Sequence, residues 1–316
     1  SGGLNADGTP KLASNETTAP EDDVVAADKG TRLVIDGPLI AGSISTMGAR
    51  LDDIVLTNYF QTQEEGSPPI KLLLPFDSKA PYFAEFGWVA DSTSNIDLPQ
   101  SDTIWSVTSR SLTVSSPLAL NWDNGSGYLF QREISIGNDY LITVSDSVTS
   151  SADTSVTLSP YSLIRRHGTP ATEGLYILHE GPLGVFDGTL NEEDYDSLQD
   201  SGKEGLSYSP EKAGGWVGIT DKYWLAALIP DQGNLHSFGM RYIDGQGDRY
   251  QTDILGAGKV LAPGQTISTT TSLFAGAKKV TLLDKYADEL GIQNFDLAID
   301  FGWFYFLTKP FFYAIN

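Results

Sequence analysis

The sequence predicts an all-β fold, a large β-sandwich with short C-terminal helices. Three observations carry the expectation. Short apolar runs punctuated by Gly, Pro, Asn and Asp begin at Arg32 and continue through most of the chain. Period-two alternation marks the middle of the sequence. Before the terminal segment, only one stretch has helical spacing. At 316 residues and 40% apolar content the chain can bury one large core, and no internal repeat or change of texture divides it.

Residues 1–30 carry no apolar period. They hold Asp7, Glu16, Glu21, Asp22, Asp23 and Asp28 against Lys11 and Lys29, a net of −4, and read as a disordered acidic arm or linker. Ser1-Gly2-Gly3 reads as a cloning remnant, and neither a secretory apolar region nor an apolar span of about 18 residues follows. Strand texture then starts with Leu33-Val34-Ile35 ahead of Gly37-Pro38, and continues through Leu39, Ile40, Ile44, Leu51, Ile54, Val55 and Leu56. Arg132 to Val148 reads as an antiparallel hairpin. Ile134 and Ile136 alternate with Glu133 and Ser135, Gly137-Asn138-Asp139 turns, and Tyr140, Ile142 and Val144 alternate again. Leu112-Thr113-Val114 and Val156-Thr157-Leu158 repeat the theme.

Glu192 to Asp200, with Glu193, Asp194 and Asp196, reads as a solvated loop. From Trp216 to Pro230 polar positions are few, as in a strand buried on both faces and centred on Tyr223 to Ile229. Thr266 to Phe274 gives a last Thr/Ser-rich strand. Val280, Leu283, Tyr286, Ala287 and Leu290 fall three and four apart, so Lys279 to Leu290 reads as a helix stopped by Gly291. The body therefore spans residues 31–294, its helix 279–290.

A formal charge of −21 repels phosphate backbones, and no basic stripe offsets it, so nucleic acid is excluded as a partner. Without cysteine there is no disulfide framework and no Cys-based zinc site. HExxH, GxSxG and Walker A patterns are missing, and no motif calls for a cofactor, a metal or a catalytic residue. His179 beside Glu180 would make an acid/base pair only if both faced one cleft, and adjacent strand residues face opposite ways. His236 falls in an apparent loop. Arg165-Arg166 reads as one solvated side chain and one local ion pair, and Gly245-Gln246-Gly247-Asp248 as a turn. Trp88, Trp105, Trp122, Trp216, Trp224 and Trp303 read as core or edge residues, with sugar stacking the minority option.

The terminal segment 295–316 is dense in rings. Trp303, Phe304, Tyr305, Phe306 and Leu307 point all round a helix, so one core face cannot shelter them together. Phe301, Phe311 and Phe312 complete the interface candidates with Trp303, Phe304, Phe306 and Leu307. From Phe301 to Tyr313 such a helix is about 20 Å long, against roughly 30 Å of bilayer hydrocarbon. The expectation is an interfacial helix at the bilayer surface, leading to a transmembrane span. The competing reading docks the segment on the core.

Several stretches resemble one family. Gly214-Gly215-Trp216, continuing through Asp221, Tyr223 and Trp224 to Pro230, is similar to the signature of the large periplasmic domain of the YidC membrane-protein insertases. So are His179-Glu180-Gly181 within Tyr176 to Val185, the hairpin from Phe130 to Val148, and the junction from Asp300-Phe301-Gly302-Trp303 to Lys309-Pro310. The resemblance covers about Arg32 to Asn316. It implies a β-supersandwich similar to galactose mutarotase-like proteins, lying in the periplasm between two membrane spans of a bacterial inner-membrane insertase. The implied role is non-catalytic aid to insertion and folding, with nascent membrane proteins and Sec translocon accessory subunits as partners. The alternative is a carbohydrate-binding or mutarotase-like sandwich protein. A third option is a concave face that holds a hydrophobic peptide.

Overall fold

The computed structural model describes residues 30–172, 178–202, 204–245 and 247–299. Most of the expected acidic arm and all of the ring-rich tail from Asp300 lie outside them. Among the described residues eleven strands form one sheet and nine another, and the two pack face to face. In the larger sheet Val156–His167 lies between Tyr82–Ala90 and Arg249–Gly256, all antiparallel. In the smaller, Gly181–Phe186, Trp216–Thr220, Trp224–Pro230, Thr266–Ala277, Leu141–Ser150 and Tyr128–Ile136 follow in spatial order. This is the sandwich that the alternation and the turn spacing imply.

The hairpin forms as expected, with Ile136 opposite Ile142 and Val148 opposite Phe130. Its apolar residues are buried between the sheets while Glu133 is exposed. One charge breaks the pattern. Arg132 is 2% exposed; its Nε and Nη2 donate to Asp146 Oδ1 and Oδ2 at 2.7 and 2.8 Å. Its remaining donors reach the other sheet, Nη1 to the Ala49 carbonyl at 3.0 Å and Nη2 to that of Phe86 at 2.6 Å. A buried guanidinium is tolerable only when paired and hydrogen-bonded in this way.

Four local expectations need correction. Trp216 to Pro230 is two strands joined by a turn at 221–223, and Tyr223 is 59% exposed rather than the start of a buried strand. Glu192 to Asp200 is not all loop: Tyr195–Asp200 forms a short helix, α1, because Tyr195 and Leu198, three apart, both reach the core. His236 opens the strand His236–Ile243. Arg165 is half-buried against Gln251 rather than solvated.

Helix α2, Val280–Leu290, buries Val280, Leu282, Leu283 and Tyr286 and ends where Gly291 adopts φ 65°, the left-handed cap that favours glycine. A 3-10 turn, Phe295–Ala298, follows with Phe295 and Ala298 buried. The first residues of the segment assigned to the interface thus belong to the body. Among the described residues no helix is long and apolar enough to cross a membrane.

Candidate functional site: the signature block and the base of the tail

The Gly214-Gly215-Trp216 block packs against the chain just before the tail. Gly215 takes φ 101°, and a Cβ there would lie 2.5 Å from the Val185 carbonyl oxygen, so both backbone and space demand glycine. Its amide donates to Gln232 Oε1 at 3.0 Å. The Gln232 Nε2 returns bonds to the Gly215 and Pro230 carbonyls at 2.9 and 2.8 Å. Gly214 donates to the Asn234 carbonyl at 3.1 Å. A loop that would otherwise fray is thereby closed on both sides.

Trp216 is fully buried, and its indole N–H donates to the Gln293 carbonyl at 3.2 Å. Gln293 Nε2 in turn donates to the Ala213 carbonyl at 3.1 Å, and Asn294 Nδ2 to that of Gly188 at 2.9 Å. Phe295 stands edge-on to Trp216 at 5.3 Å and to Phe274 at 5.6 Å. Burying that ring contributes about 1.5–3 kcal/mol, and edge-to-face contacts add about 0.5–1.5 kcal/mol per pair. Hydrogen bonds and ring packing together clamp residues 293–295 onto the body.

The turn of the same hairpin ties the sheets together. Asp221 Oδ1 accepts from Arg166 Nη1 at 2.6 Å, across the sandwich. Arg166 also sits 4.9 Å from the Tyr82 ring centre and 3.4 Å from the Tyr195 hydroxyl. Burial opposes its charge, but Asp221, Tyr195 and Tyr82 outweigh burial and hold the guanidinium protonated, above its ordinary range. Lys222 N–H donates to Glu180 Oε1 at 3.1 Å. Trp224 meets Tyr59 edge-on at 5.0 Å, and Pro230 closes the buried strand.

His179 and Glu180 are each engaged by other neighbours. The Glu180 carboxylate is engaged by a backbone amide. His179 Nε2 contacts the Pro182 carbonyl at 3.0 Å, with Nδ1 3.6 Å from Asp194. Gly181 starts the strand opposite Thr220, so these residues fasten the neighbouring strand end. Among the described residues no group of His, Asp and Glu could hold a metal ion. The membrane-interface candidates Phe301, Trp303, Phe304, Phe306, Leu307, Phe311 and Phe312 lie outside the described residues. Sequence reasoning missed Gln232, Gln293 and Arg166 as partners of the block. Only the Arg165-Arg166 pair gave a hint, since one ion pair was expected there.

The family model for the YidC periplasmic domain matches residues 32–314. The chain belongs to that family. Over 292 residues it is 44% identical to the membrane protein insertase YidC of Granulibacter bethesdensis, covering 91% of this chain and 50% of that protein. It is 43% identical to the insertase of Methylorubrum extorquens over 323 residues, covering 100% and 52%. The chain thus spans about half the length of the curated relatives it matches. Among solved structures it resembles a galactose mutarotase related enzyme from Lactobacillus acidophilus, with 11% identity and a TM-score of 0.55 over 78% of this chain and 97% of that one. A galactose mutarotase-like protein from Lactobacillus casei aligns with 10% identity and a TM-score of 0.51, covering 78% and 100%. At these identities the likeness establishes the mutarotase-like sandwich and nothing about chemistry.

Proposed function

We propose that this YidC periplasmic domain is a non-catalytic body of a bacterial inner-membrane insertase, standing in the periplasm and anchored to the bilayer surface by its ring-rich tail. The observation that carries the reading is the clamp of Trp216, Gln293 and Phe295 at the base of that tail, within a family whose relatives are named insertases. A tail held at a fixed exit transmits the orientation of the body to the membrane, whereas a loose linker would not. Trp303 and the Phe residues at 301, 304, 306, 311 and 312 supply the interfacial rings, and Leu307 adds apolar surface. The body assists insertion and folding of nascent membrane proteins, alone or beside accessory subunits of the Sec translocon. Glu180 and His179 serve as fasteners in this reading, not as sugar-handling groups.

Liposome flotation of the full chain, and of the chain ending at Gly302, tests it. The full chain is expected to float with the vesicles and the shortened one to stay behind. Equal flotation would remove membrane anchoring by this segment.

A further inference from the structure

The outer face of the larger sheet carries positive charge that nothing above uses. Arg165 lies opposite Gln251, and His167 opposite Arg249, on neighbouring strands. Being two residues apart in a strand, Arg165 and His167 share a face. Their surroundings differ from those of the other sheltered arginines. Arg50 meets Glu85, Arg132 meets Asp146, Arg166 meets Asp221 and Arg241 meets Asp253. Arg165 and Arg249 have no carboxylate at contact distance among the described residues, in a chain with 41 acidic side chains.

Arg165 gives Nε and Nη2 to one neutral acceptor, Gln251 Oε1, at 3.1 and 2.6 Å. Arg249 Nη2 donates to the Asp244 carbonyl at 3.0 Å, while its Nε is buried with no acceptor. The Nε2 of His167 is likewise buried without a partner, and its ring packs 6.0 Å from that of Phe83. Glu85 is the acid that most favours the Arg165 charge, but Arg50 engages it. Buried donors without acceptors are rare, and sheltered cations usually bring a counter-ion.

We propose that Arg165, His167 and Arg249 form a binding site for a compact oxyanion, a phosphate or carboxylate group. The planar guanidinium fork matches two oxygens of such a group, and a neutral imidazole protonated at Nε2 donates to a third position. Burial, then Arg165 and Arg249, push the His167 pKa down to about 4, so at neutral pH the ring adds a donor without adding charge. The oxyanion reaches the site either free in solution or as a phospholipid headgroup.

The test follows the three histidine rings of the full chain by NMR during titration with inorganic phosphate at low ionic strength. A saturable shift at His167, with His179 and His236 unmoved, is expected. Arg165→Gln and Arg249→Gln should each weaken it at least tenfold. A His167 ring that never responds, or variants that bind phosphate as well as the parent, overturns the site. If a variant fails to fold, the parent titration alone decides. Flotation of the full chain with phosphatidylglycerol against phosphatidylcholine vesicles then separates the sources. A preference for the anionic vesicles that both substitutions abolish assigns the oxyanion to a headgroup. Phosphate binding without that preference assigns it to a free anion.

Discussion

Replacing Phe295 by alanine tests the clamp at the base of the tail. The ring is fully buried and meets Trp216 and Phe274 edge-on. Removing a core Phe costs about 3–5 kcal/mol, the transfer energy of the ring plus the cavity it leaves. For a body of this size each kcal/mol lowers the melting temperature by about 2–4 °C, which gives a fall of about 6–20 °C. Urea unfolding followed by tryptophan fluorescence measures it directly, and the midpoint should drop with the slope unchanged. Tyr223→Ala serves as the control: its ring is exposed, and a change within about 0.5 kcal/mol is expected. A loss below about 1 kcal/mol for Phe295→Ala would mean that the ring is not docked, and the clamp would have to be abandoned.

Three further outcomes follow from the same geometry. Asp146→Ala leaves Arg132 buried without its counter-ion and should cost about 3–5 kcal/mol in urea unfolding. Gly215→Ala sets a Cβ against the Val185 carbonyl at φ 101° and should destabilise by at least about 1–3 kcal/mol in the same assay. His167, held near 4 against its ordinary 6.5, resists protonation in the folded state, so the unfolded chain binds the proton first. Its share of stability is present above pH 6.5 and is lost progressively as pH falls toward 4. His167→Gln should flatten that part of the curve of urea midpoint against pH, and an unchanged slope would contradict the assignment.

What the sequence disclosed was local. The hairpin and helix α2 were legible because their patterns repeat over ten or more residues and Gly291 marks the helix end. The Trp216 to Pro230 block misled because Tyr223 continues an apolar run, although Asp221-Lys222 already signals the turn. Helix α1 escaped notice since only Tyr195 and Leu198 anchor it within an acidic stretch. Arg132 only marked the start of the hairpin in the sequence. Its burial depends on the carbonyls of Ala49 and Phe86, 83 and 46 residues away, which no local window contains. The clamp was hidden for the same reason: Gln293 and Ala213 are 80 residues apart, and glutamine carries no pattern of its own. The glycines and Trp216 stood out through family resemblance, while their physical roles emerged only with the contacts of the fold.

Native-state hydrogen exchange at Leu297 and Ile299, whose amides donate to the Asn294 and Asp296 carbonyls, tests the clamp of residues 293–295 on the body most directly. Both amides are expected to be protected in the parent chain and to exchange freely in Trp216→Ala, while the hairpin amides stay slow. Free exchange at both positions in the parent chain would contradict the clamp.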